Sequence, residues 1–132
     1  MSAAGEPYVA IQVVMMPRDT NPLGSIFGGV ILSYIDQAGA IGARREVVRA
    51  GGPQPYLLTV AINKVEFKQP VMVGDVVRFL TALVRLGRTS ITVNVTVEAE
   101  RGDQVLQVTE AELVYVGVDA KTRQPTPLLP GK

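Results

Sequence analysis

One segment limits what this chain can fold into: from Gly24 to Ala43 the only formal charge is Asp36. Such a stretch is about as long as a bilayer crossing, roughly 20 residues. Its glycines and central carboxylate weaken insertion, the acid alone by about 3 kcal/mol, so the reading is a helix buried by protein, with no membrane partner. Phe27, Val30 and Ile31, Tyr34, Ala38 and Ile41 recur every three or four residues, which predicts a helix from about Ile26 to Val48, apolar nearly all round. Arg44, Arg45, Glu46 and Arg49 close it with cations that suit a C-terminal dipole, and Ala50-Gly51-Gly52-Pro53 ends it.

The remaining regular text reads as strand. Val9 to Met16 is a β-rich run stopped by Pro17, and Arg18 to Ser25 is a loop rich in turn residues. After Pro55 the chain turns to β. Thr59-Val60-Ala61-Ile62 puts its apolar groups at even positions, whereas Val65 and Phe67 are odd, which predicts a bulge and a bend near Asn63-Lys64. Val76 to Val84 is a nearly continuous apolar strand, and Gly87-Arg88 turns the chain. Ile91, Val93, Val95 and Val97 alternate with Thr92, Asn94, Thr96 and Glu98, the pattern of a half-buried antiparallel strand. Arg101-Gly102-Asp103 reads as the tip of a hairpin into a last strand from about Gln104 to Val118. One strand, one long helix and about four further antiparallel strands make an α+β chain whose sheet must curl around its only helix. The 132 residues suit one domain with a core over about 9–118 and a loose tail after it. The uncovered side of such a sheet is expected to meet a second copy.

Composition narrows the chemistry. The chain has no cysteine and no histidine. That removes disulfide frameworks, thiolate nucleophiles, zinc ribbons and every site built on a histidine base or ligand, and no metal is expected. A formal net charge of +1 gives no field to draw in nucleic acid or an anionic membrane. Met1 to Pro7 shows no basic segment followed by an apolar core, so a cytoplasmic protein is expected.

Three constellations carry chemistry. Asp36 lies alone in an apolar helix, where an ionised carboxylate is costly unless paired, hydrated or used. An ion pair with Arg44, Arg88 or another cation would account for it structurally; a catalytic role would account for it functionally. Gly24-Ser25-Ile26-Phe27-Gly28-Gly29 opens the helix, and amides there have no intrahelical acceptor, so they can seat a carbonyl oxygen that becomes an oxyanion. Close helix–sheet packing is the plainer reason for Gly28 and Gly29, and Asn21 serves either as a further donor or as a turn residue. Gly87-Arg88-Thr89-Ser90 combines a turn, a cation and two hydroxyls, which suits a phosphate but also an ordinary hairpin. Gly28 and Asp36 lie about 12 Å apart along a straight helix at 1.5 Å per residue. One small reacting group cannot touch both, so a site using both must join two subunits across an isologous interface.

In order, Met16-Pro17-Arg18-Asp19-Thr20-Asn21, Gly24, Ile26-Phe27-Gly28-Gly29, Asp36 with Ala38-Gly39, Phe67 with Pro70, Val73-Gly74-Asp75 and Gly87-Arg88-Thr89-Ser90 resemble the hotdog-fold acyl-CoA thioesterases. The likeness is to the bacterial YciA-like branch, itself similar to the cytosolic acyl-CoA hydrolases, and covers about Met15 to Pro130. It implies a hotdog fold, homodimers sharing one sheet and assembling into homohexamers, and hydrolysis of acyl-CoA to a free acid and CoA without a separate cofactor. It further implies that Asp36 is the catalytic carboxylate, that Asn21, Gly28 and Gly29 position or polarise the thioester, and that Arg88, Thr89 and Ser90 contact CoA. Ser25 and Val30 depart from the family pattern, which usually has Asp or Asn at the first and often an aromatic at the second. The alternative function is a hotdog module that binds CoA or an acyl ligand without catalysis.

Overall fold

The computed structural model describes residues 6–131, so most of the Met1–Pro7 segment read above for a leader lies outside the described residues. Five strands, β1 (Tyr8–Val14), β2 (Tyr56–Asn63), β3 (Val76–Leu86), β4 (Ser90–Arg101) and β5 (Gln104–Val118), and one long helix, α1 (Gly28–Arg49), follow in the order β1-α1-β2-β3-β4-β5. The strands form one antiparallel sheet in the spatial order β1-β3-β4-β5-β2, the hotdog arrangement of a sheet curled on a central helix. Among the described residues no helix is long and apolar enough to cross a membrane.

The alternation in β4 translates directly into burial: Ile91, Val93, Val95 and Val97 are fully buried against α1. The helix presents Ile31, Ile35, Ala38, Gly39, Gly42, Ala43 and Val47 to the sheet. Phe27, from the expected apolar stripe, is instead exposed beside the helix start. Two inner glycines are steric requirements. A Cβ on Gly42 would lie 2.3 Å from Thr81 Oγ1, and one on Gly39 would lie 2.2 Å from the Tyr115 phenol oxygen.

Two expectations need correction. The irregularity in β2 falls between Thr59 and Ala61, not near Asn63-Lys64. The strand does not bend onward either: it stops at Asn63, and Lys64 takes φ 57°. Tyr56, Leu58, Val60 and Ile62 consequently lie exposed on this edge strand instead of facing inward. The tail is not loose. Leu128 is buried and donates its amide to the Arg88 carbonyl at 2.9 Å, and Thr126 donates to the Gly117 carbonyl at 2.9 Å. Apolar burial of Leu128 beside Gly117 extends the core past residue 118.

One ion pair ties the loops at the front of α1. Asp75, nearly fully buried, takes Arg101 Nε on Oδ1 at 2.9 Å and Arg101 Nη2 on Oδ2 at 2.8 Å, while Oδ2 also accepts from the Met72 amide at 2.9 Å. The same Arg101 nitrogen reaches the Pro70 carbonyl at 3.2 Å. This fixes the 70–75 connection, which in turn holds the residue entering the helix turn through Ile26 N to Val71 O at 2.8 Å. The Arg101 hydrogen bonds hold the Asp75 carboxyl below the usual carboxylate range against the opposing effect of burial. A depressed folded-state pKa stabilises the protein at pH above the ordinary Asp value near 3.8, and that stability is lost as pH falls through the lower folded value. Asp75→Asn should therefore destabilise at neutral pH by about 1.5 kcal/mol, since the Arg101 left behind is 39% exposed, and flatten the acid limb. Urea unfolding from pH 6 to pH 2 checks this, and parallel curves for the two proteins would refute it.

Candidate active site

Asp36 projects from α1 toward β2 and β5. Thr59 Oγ1 donates to Asp36 Oδ1 at 2.7 Å. The Tyr115 phenol donates to the Asp36 carbonyl oxygen at 2.7 Å and lies 3.3 Å from Oδ1. Burial, reinforced by the Asp36 charge, pushes the Tyr115 phenol far above the usual tyrosine range, so it remains a donor. The carboxylate thus accepts from the Thr59 hydroxyl on Oδ1, with the Tyr115 phenol holding the Asp36 backbone beside it, while no side chain among the described residues bonds Oδ2.

Among the described residues of one subunit no cation pairs with Asp36. The ion pairs among the described residues join Arg45 and Arg49 to Glu46, Arg78 to Glu98 and Arg101 to Asp75. Neither Arg44 nor Arg88 pairs with Asp36, so the ion-pair reading finds no partner among the described residues of one subunit. The side chain is half-buried, not sealed. Thr59 and Tyr115 were not singled out from sequence: Thr59 reads as one polar residue in a strand, and Tyr115 lies 79 residues from its partner. The Thr59 position in an otherwise apolar run was the one available signal.

At the other end, α1 begins at Gly28 with Phe27 as its cap residue and no side-chain cap. The first intrahelical donors are Val30 and Ile31, both to the Phe27 carbonyl, which leaves the Gly28 and Gly29 amides without a backbone acceptor among the described residues. Packing does not explain these glycines. A Cβ on Gly29 would meet nothing within 4 Å, and one on Gly28 would make ordinary contact with the Phe67 ring at 3.6 Å. Close approach to the sheet belongs to Gly39 and Gly42 instead.

Asn21 works within its own loop. Its Oδ1 accepts from the Leu23 and Ser25 amides at 2.9 and 3.2 Å, and its Nδ2 donates to Ser25 Oγ at 2.9 Å. Ser25, at the position that departs from the family pattern, is thus the side chain that orients Asn21. Arg88 is exposed at the β3–β4 turn and lines a cavity of about 310 Å³ with Leu86, Gly87 and Leu129. The Thr89 and Ser90 carbonyls accept from Gly117 and Gly87 at 2.7 and 2.8 Å, fixing the turn. Within one subunit the structure brings together neither Asp36 and Gly28, eight residues apart on one helix, nor either of them with the Arg88 turn. No cluster of three Asp or Glu side chains able to hold a metal occurs among the described residues.

An antiparallel sheet curled on one long helix is the hotdog architecture, and the comparisons place the chain in its thioesterase class. The family model described as "Thioesterase superfamily" matches residues 23–106. The acyl-CoA thioester hydrolase YciA of Salmonella typhimurium is 37% identical over 125 residues, covering 91% of this chain and 89% of the relative. The hexameric hotdog fold thioesterase of Campylobacter jejuni shares 40% identity at TM-score 0.81, covering 96% of this chain and 92% of that one. A hexameric thioesterase from Yersinia pestis shares 34% at TM-score 0.82, covering 92% and 95%. The chain belongs to the thioesterase superfamily, in the branch of the YciA-like acyl-CoA thioester hydrolases.

The contact between Gly39 and Tyr115 yields a test of how Asp36 is held. Gly39→Ala should cost about 2 kcal/mol through overpacking against the phenol oxygen, and Tyr115→Phe about 1 kcal/mol through the lost hydrogen bond. Because Phe lacks the clashing oxygen, the double variant should be more stable than the sum of the two losses by at least 0.5 kcal/mol or so. Additive losses in urea unfolding would show that the two sites are independent.

Proposed function

We propose that this chain hydrolyses acyl-CoA to a free acid and CoA, with Asp36 as the catalytic carboxylate. The observation that carries the reading is a carboxylate in an apolar helix that accepts from Thr59 with the Tyr115 phenol beside it, and that no cation among the described residues pairs with. A carboxylate needed only for stability would be paired; one left unpaired and aimed is suited to proton transfer. Asp36 takes a proton from water as the water oxygen adds to the thioester carbonyl. The tetrahedral oxyanion is held by the amides of Gly28 and Gly29. The C–S bond then breaks, and its electron pair leaves on the CoA sulfur, which takes up a proton.

The span of α1 requires that the carboxylate and the amides come from two copies of the chain. The exposed apolar edge of β2, next to Thr59, is the surface on which a second copy extends the sheet. Dimers of this kind assembling into hexamers match the assembly named for the Campylobacter and Yersinia thioesterases. Asn21 positions the helix start through its loop, and Arg88 with the Thr89-Ser90 turn binds the CoA phosphates. The protein works in the cytoplasm, without a separate cofactor.

Asp36→Asn should lower kcat at least about a hundredfold while retaining CoA binding. A variant that keeps full turnover would end the assignment. Mixed oligomers test the shared site. Co-assembled Asp36→Ala and Gly28→Val subunits, each inactive alone, should recover about a quarter of wild-type activity, because half of the random pairs carry one intact site of two. No recovery would place the whole site in one chain. Arg88→Ala should raise KM for CoA esters about tenfold, with kcat little changed; an unaltered KM would reject the phosphate role.

A further inference from the structure

We propose that Arg101 is a positioning residue for the hydrolysis: through Asp75 it sets the Gly28 and Gly29 amides where an oxyanion requires them. The inference rests on the reading of those two amides as the oxyanion donors and adds the side chains that hold them in place. In sequence Arg101-Gly102-Asp103 marks only the tip of a hairpin, and Gly102 does take φ 62° there. Arg101, the last residue of β4, has a second task. Its guanidinium forks onto both oxygens of Asp75, 26 residues back in the chain, and also reaches the Pro70 carbonyl.

The helix start has no cap of its own. Phe27 offers no side-chain cap, so the Gly28 and Gly29 amides sit wherever the preceding backbone is placed. Two bonds place it: the Ile26 amide donates to the Val71 carbonyl at 2.8 Å, and the Phe27 amide donates to the Asp19 carbonyl at 2.9 Å. The first of these leads to Asp75. Ser25 pairs with Met72 in an antiparallel bridge, the Met72 amide donates to the Asp75 carboxylate at 2.9 Å, and the Asp75 amide returns to the Met72 carbonyl at 3.1 Å. The Asp75 carbonyl also accepts from the amide of Met15, the residue after β1, at 3.0 Å. Asp75 is thus the hub of the frame around the helix start, and among the described residues Arg101 is the cation that pairs with it. A fork onto both oxygens fixes the carboxylate in rotation as well as in distance. Oxyanion donors act within about 2.7–3.1 Å of the developing charge, and a misplacement of about 1 Å costs on the order of a hundredfold in rate. A small shift of the 70–75 connection is therefore read out in kcat.

The experiment measures kcat, KM and the urea midpoint of Arg101→Ala and Arg101→Lys in the assembled oligomer. Arg101→Ala should lower kcat about tenfold, with KM changed less than about twofold. Arg101→Lys, whose ammonium cannot fork onto both oxygens, should fall between that variant and the wild type. Guanidinium ion, added well below unfolding concentrations, should recover part of the rate in Arg101→Ala and none in Gly28→Val, where a side chain blocks the amides themselves. A lowered urea midpoint with kcat unmoved would make the pair a structural tie only and overturn the proposal, as would a loss carried by KM. If Gly28→Val kept wild-type turnover, the oxyanion reading and this proposal would fall together. An inactive Gly28→Val beside an unimpaired Arg101→Ala would overturn this proposal alone.

Discussion

The contact between α1 and the sheet at Gly39 and Gly42 governs where everything else sits. Without side chains at these two positions the helix backbone lies against Tyr115 and Thr81, close enough that a methyl group at either would collide with a hydroxyl. The close approach lets the Tyr115 phenol reach the carbonyl and carboxylate of Asp36. It also lowers Asp36 to the level of β2, where Thr59 completes its orientation. The carboxylate geometry is thus a consequence of packing, and two glycines buried in the core are as necessary to it as the acid itself.

A second chain of contacts sets the helix start. Asp75 and Arg101 lock the 70–75 connection, that connection bonds the backbone at Ile26, and the helix begins two residues later with its glycine amides open. Charge is used here for position. Thr59 and Tyr115, the side chains that hydrogen-bond Asp36, are neutral hydroxyls instead.

Much of this was legible in the sequence because it depends on local periodicity. The alternation of Ile91 to Val97 declares a half-buried strand in any context, the three-to-four spacing from Val30 onward declares a helix, and Gly102 marks a hairpin. The edge strand misled for a physical reason. Leu58, Val60 and Ile62 alternate as a core-facing set would, but their apolar side is turned away from this subunit's core, and alternation alone does not say on which side of a strand the core lies. The tail misled because Leu128 is one apolar residue among prolines and polar groups; its burial depends on the gap left by Gly117 and Gly52, far apart in the chain.

The candidate site divides in the same way. Asp36 announced itself through composition, since a lone acid in an apolar helix is conspicuous wherever it occurs, and the order of glycines before it marked an uncapped helix start. The sequence by itself determined the strand and helix text, the absence of histidine and cysteine chemistry, and the identity of the acid. Only the tertiary structure decided that Thr59 and Tyr115 hold that acid, that no arginine neutralises it, and that Gly39 and Gly42, not Gly28 and Gly29, carry the close packing. Those facts depend on distances between residues remote in sequence, which are set by how a curled sheet closes on its helix and leave no periodic trace in the chain.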